Sequence, residues 1–430
     1  MMSVRSAAIT TLGCKTNQFE SAAMEEKLRQ AGWQIVPFDA GADLVIVNTC
    51  TVTAATDSQS RNLIRRAQRL NPDCRVVVTG CYAQVDPQTL AAIPGVALVL
   101  GNEEKRDLLQ LLAAEDGTVQ VGDIRQRHEA EVATLASFAE RSRAFVQIQN
   151  GCDAFCSYCI IPYARGRSRS VPPAQVLAQV QDLVRVGYTE IVLTGIHIGG
   201  YGADLKPSLS LTDLLRQLLA KTGLSRLRLG SLEPTEIPDE LLDLIAESEE
   251  ICPHLHIPLQ AGDDTVLTAM RRTYDTAFFR ALLQRIRQRL PEAAIGLDVI
   301  VGFPGEDDDS FARTKQLLEE LPWSHLHVFP YSRRPGTPAA SMSDQVPATV
   351  SKERAALLRH LASEKLEVVG GRVIGKNLSV VVEGGEGELR RGLCRNYLPV
   401  RFVGDKSLIG SEVLVKIETF VDGELQGSLM

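Results

Sequence analysis

No apolar run in the 430 residues is long enough to cross a bilayer, and the opening stretch MMSVRSAAITTLG lacks an apolar core followed by a cleavage site. Membrane-spanning and secretory readings are therefore set aside, and the expected location is the cytoplasm. Positive charge is in deficit. Against 53 Asp and Glu stand 46 Lys and Arg, and the net charge of −7 argues against indiscriminate nucleic-acid binding. It leaves room for RNA contact through a local basic face. Repeats of solenoid length are missing too. Disulfides are not expected in a reducing compartment, so nine cysteines point to metal or catalytic use.

What is present is a folded chain of two or three domains, 44 % hydrophobic and 23 % charged. In its first part, short strands alternate with amphipathic helices: a strand around Ala7–Leu12 before ESAAMEEKLRQAGW, Leu44–Asn48 before SQSRNLIRRAQRLNP, and Val76–Thr79 before a shorter helical pattern. This alternation predicts an α/β domain with a parallel sheet, in which ligands sit beyond the carboxyl ends of the strands. Each of the three strands runs into a cysteine: Cys14, Cys50 and Cys81. One such cysteine could be a buried core thiol. Three at the same end of one sheet can converge on one point.

GDIRQRHEAEVATLASFAERSR (122–143) is charged and weakly patterned, and reads as a linker. Six further strand patterns follow, AFVQIQN, EIVLTGI, RLRLGSL, HLHIPLQ, IGLDVIVGF and HLHVFPY, with helical patterns between them. They predict a partial (β/α)6 barrel with its site at the strands' carboxyl ends. The closing residues alternate in twos between Gly-rich turns and predict a small all-β barrel.

The stretch NGCDAFCSYCIIPYARG places Cys152, Cys156 and Cys159 on one loop after a strand. This C-x3-C-x2-C spacing differs from the paired C-x2-C of structural zinc, which also needs a fourth ligand. Three thiolates can hold a [4Fe-4S] cluster by three irons and leave the fourth open to a small molecule. The spacing resembles the signature of the radical S-adenosylmethionine (SAM) superfamily. By the same logic Cys14, Cys50 and Cys81 could hold a second cluster. An electron carrier or cluster scaffold would normally have its irons fully ligated, and both triads here leave one open.

Taken together, TLGCKTNQFES, VNTCTVTAATDSQSR, VTGCYAQ, GCDAFCSYCIIPYARG, DVIVGFPGE and the terminal β module resemble the radical SAM methylthiotransferases over essentially the whole chain. The resemblance implies an amino-terminal cluster-binding domain (1–122), a linker (123–143), a radical SAM domain (144–367) and a TRAM-like RNA-binding barrel (368–430). It implies two [4Fe-4S] clusters, with one SAM methylating a sulfur at the amino-terminal cluster. A second SAM, reduced at the barrel cluster, yields the radical that abstracts hydrogen from an unactivated carbon. No catalytic side chain beyond the cluster ligands is implied. An electron donor and a sulfur source are implied as partners.

For SAM, the resemblance carries over Tyr158, beside Cys159, as an aromatic near the adenine. The Gly-Gly-Glu common after the second barrel strand is replaced by Thr194-Gly195-Ile196, so only Gly195 carries over and the usual carboxylate is absent. Gly302 in VGFPGE resembles the glycine that approaches the adenine. Ser231, Glu233 and Gln260, at strand ends, are candidates for SAM or substrate.

Among the family's branches, LGCKTNQFES with NTCTVTAATDSQSRN looks like the one acting on N6-threonylcarbamoyladenosine at position 37 of tRNA. The alternatives act on isopentenyladenosine in tRNA or on an aspartate of a ribosomal protein. A tRNA anticodon loop is a sensible target, because its bases can be splayed out. Arg61, Arg65 and Arg69 form a basic ridge on one helix, beside Arg66. Lys376, Arg390, Arg391, Arg395 and Arg401, interleaved with Tyr397 and Phe402, could hold phosphates and stack bases, although the two aromatics could equally be barrel core. Cys74, Cys252 and Cys394 read as structural. His254 and His256 share a strand face, and core or polar roles are both open.

Overall fold

Runs such as LVIVNT and RVVVTG are apolar at nearly every position, which suits strands covered on both faces. The computed structural model, which describes residues 5–127, 130 and 142–430, uses them so. Two compact units emerge from its contacts. One comprises the described residues of Met1–Ala136 with Gln147–Pro172 and Ser332–Ala340. The other comprises those of Ser137–Val146 with Pro173–Tyr331 and Ser341–Met430. The sequence-derived boundaries kept 144–367 together, whereas these contacts draw two stretches of it to the amino-terminal residues. The expected linker lies mostly outside the described residues; within it, Ile124–Gln126 forms a 3-10 turn.

The first unit is built on a six-stranded parallel sheet in the order β2-β1-β3-β4-β5-β6. Its strands are β1 (Ser6–Thr11), β2 (Gln34–Ile35), β3 (Leu44–Thr49), β4 (Arg75–Gly80), β5 (Val96–Leu100) and β6 (Thr118–Gln120). Val45, Val47, Val76 and Val78 enter the core on one face; Leu44, Ile46 and Val77 enter the core on the other. Thr11 pairs with Asn48 and Asn48 with Thr79, so β1, β3 and β4 end level. Chain order reverses between β1 and β3, the topological switch point where open α/β sheets bind ligands.

The second unit contains the six expected barrel strands as two three-stranded sheets. One is β7 (Arg143–Gln147), β10 (Glu190–Thr194) and β11 (Leu227–Leu229); the other is β12 (His254–Gln260), β13 (Ala294–Val301) and β14 (His325–Pro330). Single parallel bridges, Leu227 to Ile251 and Ser231 to His256, link them. The stretch AFVQIQN divides into β7 and the short β8 (Gln149–Asn150), which pairs antiparallel with β9 (Arg169–Ser170).

The closing residues form a closed barrel, β15-β16-β17-β19-β18. Its strands are β15 (Asn377–Glu386), β16 (Leu389–Cys394), β17 (Pro399–Val403), β18 (Glu412–Val421) and β19 (Glu424–Leu429). Val380, Val382, Val400, Phe402, Val415, Ile417 and Leu425 fill it, which settles Phe402 as core. No helix among the described residues is long and apolar enough to cross a membrane.

Candidate metal centres

The turn after β1 is possible because Gly13 takes φ +97°. A Cβ there would lie 2.8 Å from both Cβ and Sγ of Cys50. Gly80, at φ +95°, repeats the device after β4, where a Cβ would stand 2.4 Å from the Thr49 carbonyl oxygen. Glycine therefore precedes two of the three cysteines, because only it permits so close an approach. Cys14 then caps the helix Lys15–Gln30, and Cys81 opens the helix Cys81–Val85. Cys50 follows β3 directly, four residues before the helix Ala54–Leu70, whose start is closed by a Thr53–Thr56 capping box.

Side chains hold these strand ends level. Asn17 Nδ2 donates to the Leu12 and Thr49 carbonyls (2.7 and 3.0 Å), and Asn48 Nδ2 donates to the Asn17 carbonyl (2.9 Å). Cys14 is exposed while Cys50 and Cys81 are buried. Burial pushes the Cys50 thiol up to about 12, and the neighbouring Cys81 and Cys14 thiols push it the same way. All three sulfurs therefore share one locality. The donor set fits a cluster bound by three cysteines.

In the same unit, Gly151 (φ +76°) opens the second cysteine loop; a Cβ there would lie 1.8 Å from the Arg167 carbonyl oxygen. The Cys152 amide donates to the Gly166 carbonyl and the Cys159 amide to the Cys156 carbonyl, each at 3.0 Å. Asp153 accepts from the Ser168 amide (3.2 Å), and the Ala339 amide donates to the Ser157 carbonyl (2.8 Å). The loop is thus tied at both ends and from the returning strap 332–340. Arg334 in that strap reaches Asp57 Oδ2 and Thr51 Oγ1, both at 2.6 Å. Cys156 is buried; Cys152, Tyr158 and Cys159 are half-buried.

Sequence reasoning missed a buried charged network beside the first triad. Arg165, at the end of the helix Ile161–Arg165, places Nε 3.2 Å from Cys81 Sγ. Its guanidinium also bonds Glu20 and Asn17, and Lys105 Nζ lies 2.6 Å from Glu20 Oε2. Burial alone would raise the Glu20 carboxyl, but Arg165 and Lys105 overcome it and hold it at about 2.

The SAM candidates of the second unit lie at strand ends, as expected. Gly195 directly follows β10. Ser231 Oγ is 2.7 Å from His256 Nδ1, and Glu233 is paired with the Arg272 guanidinium. Gln260 ends β12 at φ +65°, where the register with β13 shifts. Gly302 has φ +73°, and a Cβ on it would meet Ser351 Oγ at 1.9 Å; its amide donates to Glu306 Oε1 (2.8 Å). His256 Nε2 lies 3.1 Å from Asp298 Oδ1, and with His327 these residues form a polar group on three neighbouring strands. His254 instead is buried and stacks on Tyr397, ring centroids 4.2 Å apart.

The basic candidates divide. Arg65 and Arg69 are exposed on the helix Ala54–Leu70, Arg61 donates to the Tyr82 hydroxyl (2.8 Å), and Arg66 pairs with Asp39 (2.6 Å). Arg391 is exposed, and Lys376 is exposed beside Glu292 (3.3 Å). Arg395 is tied to Glu412 (3.2 Å) and to the Glu250 carbonyl (3.1 Å), and Arg401 pairs with Glu424. Arg390 corrects the sequence reading. Its side chain is 2 % exposed and its guanidinium donates to the Gly404 and Gly387 carbonyls, so it braces two turns of the small barrel and cannot meet a phosphate. Cys74, Cys252 and Cys394 are buried, as expected of structural thiols.

Residues 6–101 match the uncharacterized protein family UPF0004, and residues 146–318 match the radical SAM superfamily. The chain is 42 % identical to the threonylcarbamoyladenosine tRNA methylthiotransferase MtaB of Bacillus subtilis, over 95 % of this chain and 93 % of that protein. The chain belongs to the radical SAM methylthiotransferase family. Its likeness to MtaB of Aquifex aeolicus is 39 %, over 95 % of this chain and 99 % of that one. Likeness to the tRNA-2-methylthio-N(6)-dimethylallyladenosine synthase of Thermobifida fusca is 34 %, over 90 % and 80 %. Among solved structures, the radical S-adenosylmethionine methyltransferase TsrM of Kitasatospora setae superposes with a TM-score of 0.57 at 18 % identity, covering 78 % of this chain and 75 % of that one. That likeness concerns the fold of this family member.

Proposed function

We propose that this methylthiotransferase adds a methylthio group to carbon 2 of N6-threonylcarbamoyladenosine at position 37 of tRNA. The observation that carries the reading is the pairing of two three-cysteine sites in one compact unit of a chain 42 % identical to an MtaB protein. Cys152, Cys156 and Cys159 would hold one [4Fe-4S] cluster, and Cys14, Cys50 and Cys81 the other. Bound there, the clusters and SAM would supply the electron, the radical chemistry and the transferred group.

The chain's own work is to place and seclude. The level ends of β1, β3 and β4 bring three thiols together, and the tied loop presents the other three. Tyr158, Gly195, Ser231, Glu233, Gln260 and Gly302 are the proposed contacts to SAM or substrate. Gly302 adopts a positive φ of +73° that suits glycine, with Ser351 packed against the position a Cβ would take. Arg65, Arg69, Arg391 and Lys376 supply exposed positive charge for phosphates. Cytoplasmic tRNA, an electron donor and a sulfur source complete the partners.

The test is anaerobic. Cluster-loaded protein is given SAM, reductant and tRNA bearing threonylcarbamoyladenosine, and the digested nucleosides are weighed. A nucleoside heavier by one methylthio group is expected, and it should vanish when the threonylcarbamoyl group is withheld. Methylthiolation of isopentenyladenosine instead would move the protein to the other tRNA branch.

A further inference from the structure

Arg165, Lys105 and Glu20 are each less than a tenth exposed and bond to one another beside Cys81. Two cations meet one carboxylate, so this buried group carries a surplus positive charge. Buried charge is costly unless it is compensated. Lys105 also donates to the neutral Asn102 Oδ1 (2.8 Å), the adjoining Arg169 has its own carboxylate in Glu103 (3.3 Å), and Arg165 Nε donates to Cys81 Sγ of the thiol triad at 3.2 Å. An oxidised [4Fe-4S] core held by three thiolates carries one net negative charge, the counterpart of that surplus.

The guanidinium is held with little freedom. Besides Cys81 it meets Glu20 and Asn17, and Asn17 in turn bonds the Leu12 and Thr49 carbonyls at the ends of β1 and β3. Arg165 therefore answers to the same strand ends that deliver Cys14 and Cys50. It also closes the short helix that begins two residues after Cys159, so one continuous segment carries three cysteines of one triad and a ligand-directed cation of the other.

We propose that Arg165 is a positioning residue of the Cys14–Cys50–Cys81 centre, where its guanidinium orients the Cys81 sulfur and compensates the negative charge of the cluster bound there. This rests on the reading that the triad holds an iron–sulfur cluster. Hydrogen bonds and positive charge at cluster sulfurs raise the reduction potential, so Arg165 makes this cluster easier to reduce. Lysine would retain the charge but not the fork that bonds sulfur, carboxylate and amide together.

The experiment uses the full-length chain with Cys152, Cys156 and Cys159 changed to alanine, leaving the amino-terminal triad to take iron and sulfide. Absence of any cluster in this protein would defeat the underlying reading. With a cluster present, its midpoint potential is followed by electron paramagnetic resonance in R165K, R165Q and the double variant E20Q/R165Q, which leaves no unpaired carboxylate. The expected result is a more negative potential in R165Q, with R165K between it and the parent, and a smaller shift in E20Q/R165Q, where Lys105 alone keeps the surplus charge and only the hydrogen bond to the Cys81 sulfur is lost. Loss of the cluster from natively folded R165Q, restored in R165K, would support the proposal equally. An unchanged potential and iron content in both glutamine variants would overturn it. So would unfolding of both, which would make Arg165 a purely structural residue.

Discussion

Glu190 offers a quantitative test of how the second unit is held together. It ends no strand and touches no proposed ligand, yet it is fully buried at the start of β10. Arg228 Nε and a terminal nitrogen donate to its two oxygens at 2.9 and 3.1 Å, Arg226 bonds it as well, and Arg143 approaches at 3.3 Å. Burial by itself would raise this carboxyl, but Arg228, Arg226 and Arg143 hold it at about 2 against an ordinary 4.5. At about 1.4 kcal/mol per tenfold of proton affinity, that depression amounts to about 3 kcal/mol. Breaking a buried ion pair from one side costs about 3–5 kcal/mol, so two routes agree on E190Q. The arginines also donate to the Leu393, Cys394 and Arg395 carbonyls, and the substitution should therefore loosen the terminal barrel as well. We expect a fall in melting temperature on the order of 10 °C. The depressed carboxyl stabilises fully above pH 4.5 and loses its contribution as pH falls toward 2, and E190Q should lack that segment of the profile. Urea midpoints followed by circular dichroism at pH 7, 5 and 3 measure both effects. A loss below about 1 kcal/mol at pH 7, or an unchanged slope between pH 5 and 3, would refute the reasoning.

Cys156→Ala should abolish SAM cleavage, whereas Cys81→Ala should retain some cleavage and yield no thiolated nucleoside; chromatography of deoxyadenosine and of digested tRNA separates the two outcomes. His325 is held neutral down to about pH 4 by burial, with His327 and His256 adding to the effect. Its unfolded form takes up a proton first, near 6.5, so stability should fall as pH drops from 6.5 toward 4, and H325F should flatten that window in a pH series of urea midpoints. R65E/R69E should weaken tRNA binding by roughly tenfold or more and lower the slope of log affinity against log salt by about 2, as two lost phosphate contacts require. Binding curves at two salt concentrations check this, and R390K, confined to the barrel interior, should leave the slope unchanged.

Much of the architecture was legible because short apolar strands punctuated by glycine and cysteine leave few alternatives. Thr-Gly-Cys at the end of β4 encodes a positive-φ glycine and a thiol together, and the sheet register then aligns it with Cys50. The barrel strands were likewise visible as apolar runs. Arg165 was not, because an arginine in YARG reads as a surface residue; its burial follows from partners as distant in sequence as Glu20 and Asn17. Arg390 misled for the same reason, since strand alternation places it inward while composition suggests an exposed base. Hydrophobic periodicity also cannot say that Ser332–Ala340 joins the amino-terminal residues, a fact that rests on polar pairs such as Arg334 with Asp57.

That strap has a bearing on biosynthesis. A ribosome that has delivered the sheet and both cysteine loops has still to add the residues between Pro172 and Ser332 before Arg334 can reach Asp57. At a synthesis rate of roughly 5–20 residues per second, the delay is on the order of ten seconds or more. Throughout it, the six thiols are present without the strap's bonds to the Ser157 carbonyl and to Asp57. Metal loading before the strap arrives and loading after it are thus chemically different events, and the chain's own order of synthesis sets the interval between them.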